Sequence, residues 1–165
     1  MDIARLSSFY RERRVIVIGH NGFKGRWLAL WLTEIGAELT GLSLATPTSP
    51  NHWDLLQLTI ADSRADIRDA TAVSQIVQRA RPENVFLLAA QALVRRSYRD
   101  SLATWSPNVM GTANGLDADR QIGTVRALVA MTTASCYGNK EHDRVAPRTD
   151  RRVGHEPRRA PQAGA

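Results

Sequence analysis

Gly19, Gly22 and Gly25 are spaced for contact with a pyrophosphate, within Arg14-Val15-Ile16-Val17-Ile18-Gly19-His20-Asn21-Gly22-Phe23-Lys24-Gly25-Arg26-Trp27-Leu28. Gly19 permits a tight turn after an apolar run. Gly22 removes a side chain where backbone N–H groups must approach phosphate, and Gly25 lets a helix lie close on a sheet. The helix N-terminus then offers unpaired N–H donors and partial positive charge to an anion. Glycines alone would also suit a strand–turn–helix connection with no ligand. The β-branched run before them and the amphipathic helix after them favour a dinucleotide site.

The elements that must hold this turn are legible in part. The run Val15-Ile16-Val17-Ile18 is too uniformly apolar for a half-exposed strand and reads as one covered on both faces of a parallel sheet. The following helix carries Phe23, Trp27, Trp31 and Ile35 at i, i+4 spacing, widened by Leu28 and Leu32, and core packing is expected for this stripe. Gly36 supplies its C-terminus. Residues 38–44 form a second strand, 45–50 a Pro/Thr/Ser loop, and 52–58 a short helix. A third strand is expected before Asp66, yet Ile60-Ala61-Asp62-Ser63-Arg64-Ala65 is short and polar for a buried one. Asp69 starts a helix with Val73, Ile76, Val77 and Ala80 on one face, and Pro82 ends it. Residues 84–90 and 124–133 complete the strand candidates. Such alternation predicts an α/β fold, a Rossmann-like doubly wound parallel sheet.

Bulk properties narrow the function classes. At 165 residues the chain is large enough for one domain with a real core. No run is apolar enough to cross a bilayer, and residues 1–6 lack a signal peptide's apolar core, so a cytoplasmic location with no membrane partner is expected. The single cysteine, Cys136, excludes an intrachain disulfide and reads as a packing thiol in a reducing compartment. The net charge of +6 raises nucleic acid as a partner. Much of the excess, however, is Arg144, Arg148, Arg151, Arg152, Arg158 and Arg159, in a stretch with no interleaved aromatics for base stacking. Three parts are therefore expected: an N-terminal lead, 1–12; an NAD(P)-binding domain, 13–140; and an Arg/Pro-rich tail, 141–165. The tail has Pro147, Pro157 and Pro161 with little apolar area, and is expected to be disordered.

The wording is more specific than the glycines. Gly-His-Asn-Gly-Phe-Lys-Gly-Arg-Trp-Leu, Thr40-Gly41-Leu42-Ser43-Leu44, Asp66-Ile67-Arg68-Asp69, Leu88-Ala89-Ala90-Gln91 with Leu93-Val94-Arg95-Arg96-Ser97-Tyr98, Asn108-Val109-Met110-Gly111-Thr112 and Cys136-Tyr137 follow in order. Together they resemble the CDP-glucose 4,6-dehydratases, a branch of the extended short-chain dehydrogenase/reductases. The resemblance runs from about residue 13 to 139. It implies NAD as cofactor, held by Gly19, Gly22, Phe23, Lys24 and Gly25, with Ser43 near the ribose. It also implies Asp66 and Ile67 at the adenine, and Leu88, Ala89, Ala90 and Gln91 beside the cofactor. Asp66 could instead cap a helix, a role Asp69 already fills. Arg95 and Arg96, otherwise a solvated pair, would meet the diphosphate of a sugar nucleotide such as CDP-glucose. Homo-oligomers are compatible with the family. Ser43-Leu44-Ala45-Thr46 carries no acid for the ribose, so charge does not settle NAD against NADP; the resemblance favours NAD.

The chain departs from the family's chemistry. A 4,6-dehydratase needs a tyrosinate base from a Tyr-x-x-x-Lys pair and an acid for the leaving hydroxyl. None of Tyr10, Tyr98 and Tyr137 has a lysine four residues on. Where the family reads Thr-Ser-Asp-Lys-Cys-Tyr, this chain has Thr132-Thr133-Ala134-Ser135-Cys136-Tyr137, so only Thr133 keeps an active-site hydroxyl. Pro107 and Gly115 fall in an expected helix, where they cost ~3 and ~1 kcal/mol against alanine. The composition change after Lys140-Glu141 is read as a shifted frame in GC-rich DNA with a premature stop. The sequence thus predicts a truncated, catalytically incomplete cofactor-binding half. The alternatives are a short binding protein selected at this length, or a module whose basic tail contacts nucleic acid.

Overall fold

The computed structural model describes residues 2–132. Its centre is a parallel sheet of five strands in the order β3-β2-β1-β4-β5. These are β1 (Arg14–Ile18), β2 (Glu38–Ser43), β3 (Ala61–Arg64), β4 (Asn84–Leu87) and β5 (Ala127–Ala130). The helices are α1 (Ile3–Tyr10), α2 (Phe23–Glu34), α3 (His52–Leu56), α4 (Ala70–Ala80), α5 (Val94–Arg99), α6 (Ser101–Trp105) and α7 (Thr112–Ile122). The doubly wound expectation holds.

Strand β1 shows why the sequence folds this way. Val15, Ile16, Val17 and Ile18 are all buried, because alternate side chains enter different cores. Ile16 and Ile18 join Leu42, Val73, Ile76, Val77, Val85, Leu87 and Ala118 under α4 and α7. Val15 and Val17 join Ala29, Leu32, Ile35, Leu39 and Trp53 under α2 and α3. Burying a side chain of this size contributes roughly 1.5–3 kcal/mol, so the β1 run alone commits the sheet to cover on both faces.

Helix α4 forms as its sequence suggests. Asp69 caps it, accepting from the Ala72 amide at 3.0 Å. Val73, Ile76 and Val77 face the core. The helix stops at Arg81, in the left-handed region at φ 41°, immediately before Pro82. Gly36, at φ 85°, follows the end of α2 as expected.

Three elements differ from expectation, and the expected third strand forms in spite of its polarity. The N-terminal lead contains a helix, α1, capped by Asp2; its Tyr10 packs toward Phe86 with ring centroids 6.5 Å apart. The polar segment before Asp66 does form a strand, β3, but at the sheet edge and largely exposed, so its polarity meets no desolvation cost. The Phe23/Trp27/Trp31 stripe is not the buried face of α2. Phe23 is 73% and Trp27 52% exposed, whereas Gly25, Ala29 and Leu32 are buried. The cause is Gly25: a Cβ there would stand 2.0 Å from the Gly19 carbonyl oxygen. That backbone contact fixes the rotation of α2 and turns positions 25, 29 and 32 to the sheet. Finally, Pro107 does not break its helix. Residues Ser106–Gly111 form a π-helical segment between α6 and α7 with Pro107 in its first turn. The wider turn absorbs the missing N–H and the ring's bulk. Gly115 is buried against Leu87 and Ile18, where a Cβ would come 3.4 Å from Leu87 Cδ1.

Candidate functional site

The C-terminal ends of β1, β2 and β4 converge on residues 19–25. Gly19 takes φ 93°, and its amide donates to the Leu42 carbonyl at 2.7 Å. A Cβ on Gly19 would lie 2.7 Å from the Ala89 amide nitrogen, so the turn also presses on the loop after β4. Gly22 caps α2 in extended geometry with no side-chain bond, and the helix's first amides remain available to an anion. Among the described residues, a Cβ at Gly22 would meet the Gly19 carbonyl oxygen alone, at 3.3 Å. The result is a backbone cradle bare of side chains over the helix N-terminus. Its shape and its place beyond the strand ends fit a dinucleotide pyrophosphate. Phe23 and Lys24 flank it, with Phe23 under the Arg26 guanidinium at 5.3 Å and Lys24 Nζ 3.9 Å from Met131 Sδ.

On the β4 side, Leu88 donates its amide to the Ile18 carbonyl at 2.8 Å. Ala89 and Ala90 then line a small cleft with Leu87, Asn108, Thr112 and Met131. Gln91 is bound within the loop. Its Nε2 donates to Thr104 Oγ1 at 3.0 Å and to the Leu93 carbonyl at 3.1 Å, and its Oε1 accepts from the Leu93 amide at 2.6 Å. Buried Asn108 grips the same residue's backbone, accepting from the Gln91 amide at 2.8 Å and donating to its carbonyl at 3.3 Å. Asn108 appears in the sequence only as part of a family motif. Its signal was a lone amide inside a helical stretch, where a solvated surface residue is the default.

On the β2–β3 side, Asn21 Nδ2 donates to the Leu44 carbonyl at 2.6 Å, tying the glycine turn to the strand end. Ser43 Oγ accepts from Arg64 Nη1 at 3.1 Å. Asp66 is held by Arg68, which donates from Nε at 3.0 Å and from its amide at 2.9 Å. The side-chain bonds from Arg68 lower the Asp66 pKa, although burial opposes them. Ile67 is buried beneath Gly111, where a Cβ would stand 2.5 Å from Ile67 Cγ2. Asn114 Nδ2 donates to the carbonyls of Ile67 and Arg68, both at 3.0 Å.

His20, inside the turn, is fully buried. Its ring stacks edge-on to Trp53 at 4.5 Å and occupies the space beside Gly41, where a Cβ would come 2.6 Å from the ring. Nε2 lies 3.2 Å from Asp62 Oδ1, off hydrogen-bonding alignment. Burial lowers the His20 pKa against the opposing pull of Asp62, so the ring is neutral at pH 7.

Arg95 and Arg96 are exposed on α5, and neither forms an ion pair among the described residues. Thr133, Ala134, Cys136 and the Arg-rich tail lie outside the described residues. Among the described residues no helix is long and apolar enough to cross a membrane, and no cluster suits a metal ion.

Strand order, glycine turn and strand-end loops together define a Rossmann-type nucleotide-binding fold. Comparison places it more closely: residues 16–153 match the model of the GDP-mannose 4,6 dehydratase family, and the chain belongs to that family. The match continues past Glu141. The chain is 43% identical over 136 residues to a CDP-glucose 4,6-dehydratase of Salmonella typhimurium, covering 81% of this chain and 38% of that protein. It is 28% identical to a CDP-paratose 2-epimerase of Salmonella typhi, covering 78% of this chain and 39% of the relative. The fold superposes with TM-score 0.79 on the Thermus thermophilus UDP-glucose 4-epimerase solved with NAD, at 30% identity, covering 92% of this chain and 48% of that one. The chain thus spans less than half the length of each of these three proteins.

Proposed function

We propose that this chain is the NAD-binding part of a nucleotide-sugar 4,6-dehydratase of the CDP-glucose kind, serving deoxysugar nucleotide synthesis. The observation that carries this reading is the Gly19/Gly25 contact. A helix N-terminus is pressed so tightly on the turn that a Cβ at Gly25 would stand 2.0 Å from the Gly19 carbonyl oxygen. That packing brings bare backbone N–H groups to where a pyrophosphate is held. Bound NAD would take hydride from C4 of the sugar and return it at C6 after loss of water. The chain's own part is to bind and orient. Residues 19–25 hold the pyrophosphate, Ser43 stands near the adenosine ribose, and Asp66 and Ile67 near the adenine. Leu88, Ala89, Ala90 and Gln91 form a wall fixed by Asn108. Arg95 and Arg96 are free to meet the diphosphate of CDP-glucose.

Proton transfer is not provided for in the same way. Without a Tyr-x-x-x-Lys pair, and with Ala134 in the aspartate position, the chain has neither the usual base nor the usual acid. The residues present therefore serve cofactor binding and orientation, and the usual proton-transfer groups are not among them.

The test is calorimetric titration of NAD into the chain and its Gly22→Val variant. Gly22 has φ −70° and ψ 173°, which any residue can adopt, but a Cβ there lies 3.3 Å from the Gly19 carbonyl oxygen, so circular dichroism of the variant accompanies the titration to show that the fold survives while valine fills the phosphate approach. Binding to the parent and its loss in the variant is expected; equal affinity would remove the site. Conversion of CDP-glucose to a 4-keto-6-deoxy product by the chain alone would show that other groups move the protons.

A further inference from the structure

The glycine turn carries one large side chain that points toward β2 and β3. His20 is fully buried, and neither ring nitrogen has a hydrogen-bond partner among the described residues. Three elements close on the ring. From β2 comes Gly41, where a Cβ would stand 2.6 Å from the ring, and from α3 comes Trp53, edge-on at 4.5 Å. From β3 comes Asp62, whose Oδ1 lies 3.2 Å from Nε2. The ring is thus a wedge between the turn and the sheet. On either side of it the backbone is tied to β2: the Gly19 amide donates to the Leu42 carbonyl at 2.7 Å, and Asn21 Nδ2 to the Leu44 carbonyl at 2.6 Å. Gly22, the cap of α2, follows two residues after the ring. A displaced ring therefore strains both bonds and moves the helix N-terminus.

A proton on this ring is poorly accommodated. The charged groups that face it are Asp62 and Arg64, both on β3. Asp62 favours the imidazolium, but its other carboxylate oxygen accepts from Arg64, whose cation opposes it. β2 presents backbone alone at Gly41 and Leu42. On α3, Asp54 is exposed and bonded to Asn51, and His52 stacks on Trp27 instead. Lys24 of the turn reaches the other way, to Met131. Burial outweighs these pulls and holds the ring neutral. An imidazolium gains hydration only by leaving the pocket.

We propose that His20 is a positioning residue for the pyrophosphate turn and makes it acid-sensitive. Neutral, the ring wedges residues 19–22 into the binding shape; protonated, it leaves its pocket and the turn releases the dinucleotide. The inference rests on the dinucleotide reading of residues 19–25 and adds to it a control by pH. An unburied histidine titrates near 6.5. Above that the ring is neutral in either arrangement, and affinity is level. Below it the released turn takes up a proton that the closed turn resists. Affinity then falls with pH, by at most about tenfold per pH unit for one proton.

Calorimetric titration of NAD into the full chain from about pH 5 to 8 tests this, with magnetic resonance of the His20 ring protons alongside. Affinity should be level above about pH 7 and at least about threefold weaker at pH 5, and bound NAD should move the His20 titration to lower pH. His20→Asn should bind more weakly at neutral pH and lose the acid dependence. Asp62→Asn should carry the His20 titration and the acid loss of affinity together to lower pH, a shift that a merely structural contact would not give. A parent affinity that changes less than about twofold over this range, or a His20 titration unmoved by NAD, would overturn the proposal. So would a His20→Asn variant that keeps the parent's profile; if that variant does not fold, the ring titration in the parent decides. Failure of the parent to bind NAD at neutral pH would instead refute the cofactor site itself, and the role of His20 with it.

Discussion

Asp119 gives the sharpest test of how burial and charge are balanced in this domain. It sits on α7 at 6% exposure, and neither carboxylate oxygen has a hydrogen-bond partner among the described residues. Burial raises its pKa from 3.8 to about 6. A raised carboxyl pKa means that ionisation costs the folded state. Below about pH 4 the group is protonated folded or unfolded, and no cost arises. Between about 4 and 6 the unfolded chain ionises while the folded one resists, and stability falls as pH rises. Above about 6 the full cost applies. The shift corresponds to about 3 kcal/mol at most, from ~1.4 kcal/mol for each pH unit. Asp119→Ala removes the carboxylate and adds roughly 0.5 kcal/mol of helix propensity. The variant should therefore be more stable than the parent by about 2–3 kcal/mol at pH 8, or roughly 5–10 °C in melting temperature. At pH 4 the advantage should shrink to the propensity difference alone. Paired urea or thermal melts from pH 4 to 8 measure this. A stability difference independent of pH, or a variant less stable at pH 8, would show that the carboxylate is satisfied and the reasoning wrong.

Two further outcomes follow from the site. Gly25→Ala should abolish cooperative unfolding or cost several kcal/mol by circular dichroism, because the Cβ is driven into the backbone of Gly19 rather than into a movable side chain; a near-neutral change would disprove the close contact. Asn108→Ala strands the Gln91 amide and carbonyl, costing about 1–3 kcal/mol. Exchange of the Gln91 amide with deuterium should accelerate and NAD should bind more weakly, whereas unchanged exchange would show that the loop after β4 is held by other means.

The parts of this molecule legible in its sequence are those decided by neighbours along the chain. The β1 run, the Asp69 cap, the stop at Pro82 and the glycine turn each follow from local stereochemistry or an unbroken apolar pattern. The misread parts are decided across space. Nothing in Phe23, Trp27 and Trp31 reveals that Gly25 must touch Gly19 and so rotate their face to solvent. Edge placement, which makes the polar β3 tolerable, depends on strand order. The widened turn at Pro107 depends on the whole 101–122 helical stretch continuing on both sides. Arg64 and Asn108 become candidate site residues only once β3 lies beside β2 and the loop after β4 reaches the π-helical segment.

The His20 ring beside Gly41 bears on how this sequence can drift. One ring fills the volume a side chain on β2 would need, so residues 20 and 41 share a single space although the whole of α2 separates them in the chain. Alanine at 41 is admissible only with a smaller residue at 20, and that residue would leave Trp53 without its aromatic neighbour. Ile67 and Gly111 are bound in the same way. Among homologous chains these positions should change in pairs, and a single substitution at either member should depend strongly on the genetic background that receives it.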